Sequence, residues 1–474
     1  MAELKVLLVI PPYEFNDIYP DYQVSLPFLD NIKLVPGATQ PLGLAYIISS
    51  LKKSGFTVEF IDGVFETEES MVEKIGKFDP DVLGIQTTSP IWEKALSLAE
   101  KIKQLKEDII IGVGGSHVNT VGGSCIEDSN DLDFAVQGDG DLILKELCEE
   151  IEKGKNCFET SGVVWKDVNN EIIENKPLPR TIENLDEVPF PDHEIIDIED
   201  YCPSIGFYRD LPSANLVTSR GCLNACEFCH ARKFHHRQRS VENVIQEMKE
   251  LKNLGVKDII IYDQDFGAKP DFAFRLCEKI IENKLDFYIG ANMRIDSFDE
   301  ELLKKMKKAG FWRVFYGLES GVQKNLDRVF KNIKIEKSRE VVENTDEIGL
   351  QVFGSFMFGI PEETYQEGIK TIEFAKSLPL SFAKFTAFSP WPGSEIWNNP
   401  EKYGSLDRSY KSMSMNKVNF VPNTMEKGDI DKLLKKGFRE FYLRPNYIAK
   451  RVKNIRTWED FKQNFRGLAS FIRA

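Results

Sequence analysis

Three of the chain's eight cysteines fall within eight residues, in Cys222-Leu-Asn-Ala-Cys226-Glu-Phe-Cys229. They follow the apolar stretch Ala214–Thr218 and Ser219-Arg220-Gly221 directly. A strand that ends in a glycine turn and delivers three thiols into one loop fits a polynuclear iron site, because thiolates are soft ligands that favour Fe–S clusters or zinc. A cubane cluster has four irons to satisfy, so three cysteines leave one iron open for chemistry. Structural zinc would need a fourth ligand, for which His230 is nearest, and its usual pattern is two separated ligand knuckles. Cys202 and Cys277 read as ordinary buried thiols: one lies upstream of the loop, the other inside an amphipathic pattern.

Downstream the chain repeats strand then helix six times. The strands are expected to begin at Asn215, Asp258, Phe287, Arg313, Val352 and Phe382, with helices over 241–254, 271–283, 299–309 and 337–348 between them. Six β/α units predict an incomplete parallel barrel of the TIM type over 205–395, with its site at the carboxyl ends of the strands. Those ends carry Asp263-Gln264, Ala291-Asn292-Met293-Arg294, Gly317-Leu318-Glu319-Ser320-Gly321, Gly359-Ile360-Pro361 and Pro390-Trp391-Pro392-Gly393. Singly, a lone Asp is an N-cap, a lone Arg a salt bridge, and Glu-Ser a turn.

In series behind Cys-x3-Cys-x2-Cys, with Phe228 before the last cysteine, these segments resemble the radical S-adenosylmethionine (SAM) superfamily. The resemblance implies a [4Fe–4S] cluster on Cys222, Cys226 and Cys229, with SAM chelated by the open iron and cleaved by one electron to a 5′-deoxyadenosyl radical. It further implies SAM contacts from Phe228, Asp263, Gln264, Arg294, Glu319 and Ser320. Family members often have Asp-Asp where this chain has Asp263-Gln264.

Residues 1–155 alternate strands (5–10, 57–62, 81–86, 109–113, 134–137) with helical patterns (42–54, 92–105). That alternation predicts a doubly wound, Rossmann-like domain with a ligand crevice beyond the strand ends. Pro11-Pro12, Thr87-Thr88-Ser89, Gly114-Gly115 and Gly138-Asp139-Gly140 fall at those ends, though any α/β domain has Gly and Ser there. Their order, with Pro41-Leu42-Gly43, resembles the cobalamin-binding domain of class B radical SAM enzymes. The resemblance implies that Pro41, Gly43, Thr87, Thr88, Ser89, Gly114, Gly115, His117, Gly138 and Gly140 line a cobalamin site. The Asp-x-His-x-x-Gly motif of other B12 proteins is absent, so cobalamin is expected without a histidine on cobalt, His117 being a polar contact.

Residues 156–204 read as a connection: a hairpin around Asp167-Val-Asn-Asn170, then a strip with Pro177, Pro179, Pro189 and Pro191 that acts as a semi-rigid spacer. Residues 396–474 form a small, mostly helical, basic C-terminal region, with 12 Lys+Arg against 5 Asp+Glu from Gly428 onward. The spacing of Phe461, Phe465, Leu468 and Ile472 reads first as a helix face packed on the barrel, and second as a peripheral membrane or lipid contact.

A net charge of −14 argues against general nucleic-acid binding, which needs a basic face. The opening Met-Ala-Glu-Leu-Lys and the reduced cysteines point to the cytosol. The resemblance implies C-methylation of an unactivated carbon in a small-molecule or lipid-like substrate, with a reducing partner such as flavodoxin or ferredoxin. The alternatives are an oxidative cyclisation, ring rearrangement or carbon–carbon coupling on the same core, and a cluster-bearing corrinoid sensor that is not an enzyme.

Overall fold

The structure is a computed structural model that describes residues 4–13, 35–36, 38–154, 158–204, 206–414 and 417–453. Two compact units divide the chain. The first takes the opening strand, Gln40–Ile198 and a short return segment, Ser409–Met413; the second is mainly Glu199–Arg408 with the chain from Ser414 onward.

In the first unit β1 (Lys5–Ile10), β2 (Thr57–Asp62), β3 (Val82–Gln86), β4 (Ile110–Gly114) and β5 (Phe134–Val136) form a parallel sheet in the order β2-β1-β3-β4-β5. Val6–Ile10 of β1 is one continuous buried run, as a strand covered on both faces requires. Helix α1 (Leu42–Lys53) packs on α4 (Gly140–Glu152), and α2 (Glu68–Phe78) on α3 (Trp92–Leu105). Strand order reverses between β1 and β3, so the crevice of such a sheet opens where Pro11-Pro12 and Thr87–Ser89 leave it.

The hairpin expected in the connection belongs to this sheet instead. Strands β6 (Val163–Lys166) and β7 (Ile172–Glu174) add antiparallel to β5, which covers an edge that would otherwise stand unpaired. The chain beyond it stays with the first unit. Arg180 pairs bidentately with Glu146 at 2.6 and 2.8 Å, and the amide of Ile182 donates to Asp139 at 2.9 Å. The change of unit falls near residue 198, toward the end of the connection expected over 156–204.

The second unit holds six parallel strands in chain order: β8 (Ser213–Leu216), β9 (Asp258–Ile261), β10 (Tyr288–Met293), β11 (Phe311–Glu319), β12 (Gln351–Phe358) and β13 (Phe382–Ala387). The first and last do not pair, so the barrel is open. Helices α5 (Val241–Asn253), α6 (Pro270–Glu282), α7 (Glu300–Lys308), α8 (Ile335–Glu347) and α9 (Tyr365–Ser377) alternate with the strands. Ser240 and Asp299 cap α5 and α7, and Thr364 with Glu367 forms a capping box on α9. The barrel floor is polar and aromatic. Arg313 is fully buried, donates from Nε to the carbonyl of Phe207 at 3.3 Å, and lies over the Phe207 and Phe353 rings.

Helix α10 (Lys427–Tyr442) buries Ile430, Leu433, Leu434 and Phe441 and packs on α9 and β13. This part of the C-terminal region is a helix face on the barrel. The aromatic spacing at Phe461–Ile472 lies outside the described residues.

Candidate functional site

Strand β8 runs into Thr218, after which Ser219–Arg220 pairs antiparallel with Arg237–Gln238. This short ribbon closes the neck of the cysteine loop. Gly221 opens the loop with φ +82, and a Cβ there would stand 2.1 Å from the carbonyl oxygen of His235. Only glycine fits that turn. The amide of Cys222 donates to Phe234 O at 3.2 Å, that of Glu227 to Val329 O at 3.1 Å, and the Trp391 indole to Glu227 O at 3.0 Å. Phe228 packs against the core cluster that Val329, Met357, Ile360, Phe388, Ile396 and Phe420 form. His230, the zinc alternative, lies edge-on to the rings of Phe234 and Trp391.

None of the three cysteines is in a disulfide, and two of them accept hydrogen bonds at sulfur. Backbone and side-chain nitrogens of Asn224 donate to Cys222 Sγ at 3.4 and 3.8 Å. Arg294 Nη1 donates to Cys226 Sγ at 3.3 Å. Burial raises the Cys229 thiol, and the Lys331 ammonium opposes that rise. Donors aimed at sulfur are how a protein supports an iron–sulfur cluster, so the residues fit the group. Among the described residues no three His, Cys, Asp or Glu stand close enough to hold a single metal ion. Ligands of a four-iron group need not converge on one point.

The strand-end residues sort into two sets. One connects to the cysteines. Arg294 is buried, grips Asp296 through Nε and Nη2 at 2.8 and 2.9 Å, and gives Nη2 also to Lys331 O at 2.9 Å. Glu319, at the end of β11 with φ +64, accepts from Lys331 Nζ at 2.8 Å; both side chains are buried. The Lys331 ammonium lies 5.7 Å from the Phe228 ring centroid. Phe228, Arg294, Glu319 and Cys226 thus share one network through Lys331, which sequence reasoning missed. Its only signal was a charge within the apolar run Val329–Ile333.

The other set is engaged within the chain. Asp263 accepts from the amides of Thr218 and Ser219 at 2.7 and 3.2 Å and from both hydroxyls. Burial raises its carboxyl, and those four donors oppose the rise. Its carboxylate holds the entry to the cysteine loop, where the sequence pattern expected a ligand contact. Ser320 bonds Thr371 Oγ1, Val322 N and Asn325 Nδ2, which makes it a support for the turn after β11. Gln264 is exposed.

At the first unit's strand ends, Gly115 and Gly138 answer to neighbouring chain. A Cβ on Gly115 would stand 2.8 Å from Thr87 O, and one on Gly138 1.9 Å from Arg180 O. Gly43, in the first turn of α1 behind Pro41, faces open space, while Gly140 packs on Ile47. Gly114 has only ordinary contacts with Val136. Thr87 is fully buried, and the buried Thr88 hydroxyl has no hydrogen-bond partner. An orphaned hydroxyl at a switch point suits a large ligand with polar substituents. His117 is enclosed: stacked on Trp92 at 4.3 Å, edge-on to Tyr410 at 4.7 Å, and bonded through Nδ1 to Ser89 Oγ at 3.0 Å. Burial lowers its pKa to about 4. Its Nε2 is buried and, like the Thr88 hydroxyl, has no hydrogen-bond partner.

Residues 216–375 match the radical SAM superfamily, and residues 30–148 the B12 binding domain. An uncharacterized methyltransferase of Pyrococcus horikoshii is 32% identical over 95% of each chain. The anaerobic magnesium-protoporphyrin IX monomethyl ester cyclase of Rubrivivax gelatinosus is 26% identical, over 87% of this chain and 76% of that one. The solved structure of the radical SAM methyltransferase TsrM from Kitasatospora setae superposes with a TM-score of 0.73 at 17% identity, covering 93% of this chain and 90% of that one. That last likeness is one of fold.

Proposed function

We propose, from the premise that this chain belongs to the radical SAM superfamily and to its cobalamin-binding class, that it methylates an unactivated carbon of a small-molecule substrate. The observation that carries the reading is the end-to-end likeness to a chain named as an uncharacterized methyltransferase, beside the radical SAM and B12-binding matches of this chain. The bound groups supply a carbon radical from SAM that takes hydrogen from a C–H bond, and a methyl group for the carbon so exposed.

The chain's own residues do the holding. Cys222, Cys226 and Cys229 would ligate the cluster, while Asn224 and Arg294 donate to the sulfurs of Cys222 and Cys226. Glu319, Lys331 and Phe228 form the side of the site nearest those thiols and contact SAM. Thr88 and Gly43 would offer polar and open surface for cobalamin. A low-potential one-electron donor of the flavodoxin or ferredoxin type serves the cluster, and the cytoplasm is the compartment that fits the reduced cysteines. Among the described residues no helix is long and apolar enough to cross a membrane. The basic C-terminus carries the lesser reading of a lipid-like substrate.

An oxidative cyclase is the second reading, favoured by the likeness to the Rubrivivax cyclase. One experiment separates the two. Protein reconstituted anaerobically with iron, sulfide and hydroxocobalamin is gel-filtered, then incubated with methyl-deuterated SAM, reductant and a metabolite extract, and the products are weighed. Retained corrinoid and a product carrying the deuterated methyl are expected. A product that has lost two hydrogens and gained no methyl would establish the cyclase instead.

A further inference from the structure

Leu223 and Phe330 are large apolar side chains that stand out at the cysteine loop, 63% and 52% exposed. Isolated apolar side chains on a surface are ordinary, but these two belong to one small piece of backbone. Leu223 follows Cys222, whose amide donates to Phe234 O at 3.2 Å. Phe330 follows Val329, whose carbonyl accepts from the amide of Glu227 at 3.1 Å. Glu227 is four residues from Leu223, so the backbone at these two points is at most about 14 Å apart. Val329 and Lys331 are buried on either side of Phe330, which with φ +52 leaves its own ring outside. Two of the cysteines between these points, Cys222 and Cys229, are themselves only partly buried.

Cations surround the patch. Residues 220–239 hold five Lys+Arg against one Glu, and residues 324–334 four against one Asp, in a chain whose net charge is −14. The sign around the loop is therefore opposite to that of the whole molecule. Arg232 and Lys233 are exposed. Arg232 pairs with Glu227 at 2.8 Å, and the Lys233 ammonium lies 4.5 Å from the Trp391 ring, whose indole bonds the carbonyl of that same Glu227. Both cations are thus held at the residue next to Cys226. One internal carboxylate takes up one of these charges, and the excess remains. An apolar centre with a charged rim is the anatomy of a protein interface, and the sign of this rim selects an acidic partner. Electron-transfer encounters bury less than about 1,200 Å² in total, so a patch of this extent is enough for one.

We propose that Leu223, Phe330, Arg232 and Lys233 form the docking surface for a small acidic one-electron carrier protein that reduces the cluster. An anionic flavin hydroquinone on the carrier gives one electron to the cluster and becomes the neutral semiquinone, with no proton moved and no bond made or broken. The proposal rests on the reading above for there being a cluster on the three cysteines. It is tested on the reconstituted holoenzyme, before SAM is added, in two ways. Affinity for an oxidised acidic flavodoxin is measured by biolayer interferometry. Reduction is followed by rapid-freeze electron paramagnetic resonance with three donors: the flavodoxin hydroquinone, an acidic [2Fe–2S] ferredoxin, and photoreduced deazaflavin, a small donor that needs no docking.

Reduction by at least one carrier, slowed by salt, is expected. Lys233→Glu should weaken carrier binding and slow that reduction about tenfold at low salt, with the gap closing as ionic strength rises. Leu223→Ser and Phe330→Asn should slow it at every ionic strength; asparagine tolerates the positive φ at 330. Iron content and the deazaflavin rate should stay at wild-type values in all three. Lys233→Gln repeats the comparison if the charge reversal does not fold. No reduction by either carrier, or carrier rates and affinity unchanged in the variants, would overturn the proposal. So would an equal loss with deazaflavin, which would assign these side chains to the cluster or cofactor site. No turnover is scored. Absence of a methylated product would therefore count against methyl transfer alone, and failure of the wild type to load iron against the cluster itself.

Discussion

Arg294 reaches the Cys226 thiol with one nitrogen and clasps Asp296 with two others. The family resemblance implies a SAM contact for this arginine; its hydrogen bond to Cys226 also makes it a positioning residue for that cysteine. A cationic donor on a thiolate favours the reduced, more negative state of the iron centre. Arg294→Met should therefore move the midpoint potential of the reconstituted cluster to more negative values. A lost interaction of about 1.4 kcal/mol corresponds to roughly 60 mV for a one-electron couple. Redox titration followed by electron paramagnetic resonance measures it. An unchanged potential with weakened SAM binding would return Arg294 to the role first expected of it. Asp263 carries the same lesson. A buried carboxylate with four donors from Thr218 and Ser219 is satisfied inside the chain, and its residue type alone could not reveal which partner it would take.

The cysteine loop works as an element because its neck is closed. Ser219–Arg220 and Arg237–Gln238 form the ribbon, the buried Arg239–Glu247 ion pair anchors the exit, and Gly221 makes the turn between ribbon and first cysteine. An alanine at 221 would place its Cβ 2.1 Å from a backbone oxygen in a left-handed conformation, and backbone cannot move aside as a side chain can. Gly221→Ala should lower iron bound per chain after anaerobic reconstitution to less than about half of wild type, with strain of roughly 1–3 kcal/mol falling on the loop. Full iron loading would mean that the loop tolerates a different entry. The glycines at the first unit's strand ends teach the converse. At Gly115 and Gly138 the carbonyls of Thr87 and Arg180 fill the space a side chain would need, so packing within the chain by itself requires glycine there.

Across the whole molecule, the chain leaves the first unit near residue 198 and returns to it with Ser409–Met413, where Tyr410 covers His117 and Lys411 pairs with Glu93. His117 and His193 are both buried there with pKa values lowered by burial from 6.5 to about 4. The unfolded chain binds protons at these groups where the folded unit does not, so their contribution to stability is complete above about pH 6.5 and is lost as pH falls to about 4. At 1.36 kcal/mol per pH unit, that is at most roughly 3 kcal/mol for each histidine. Heat denaturation of the first unit should show a lower midpoint at pH 5 than at pH 7.5, with a flatter pH dependence in His117→Leu; equal slopes would place the acid sensitivity elsewhere. The sequence by itself determined the order of the parallel strands, the open six-stranded barrel and the cysteine loop, because these rest on local periodicity and spacing that hold whatever the chain folds against; helices Glu68–Phe78 and Gly140–Glu152 were not read from it. Only the tertiary structure decided that the hairpin at 163–174 completes the first sheet and that Lys331 joins Glu319 to the cysteine loop. Those facts depend on register and on partners far apart in the chain, and a buried charge declares its role only when the group opposite it is in place.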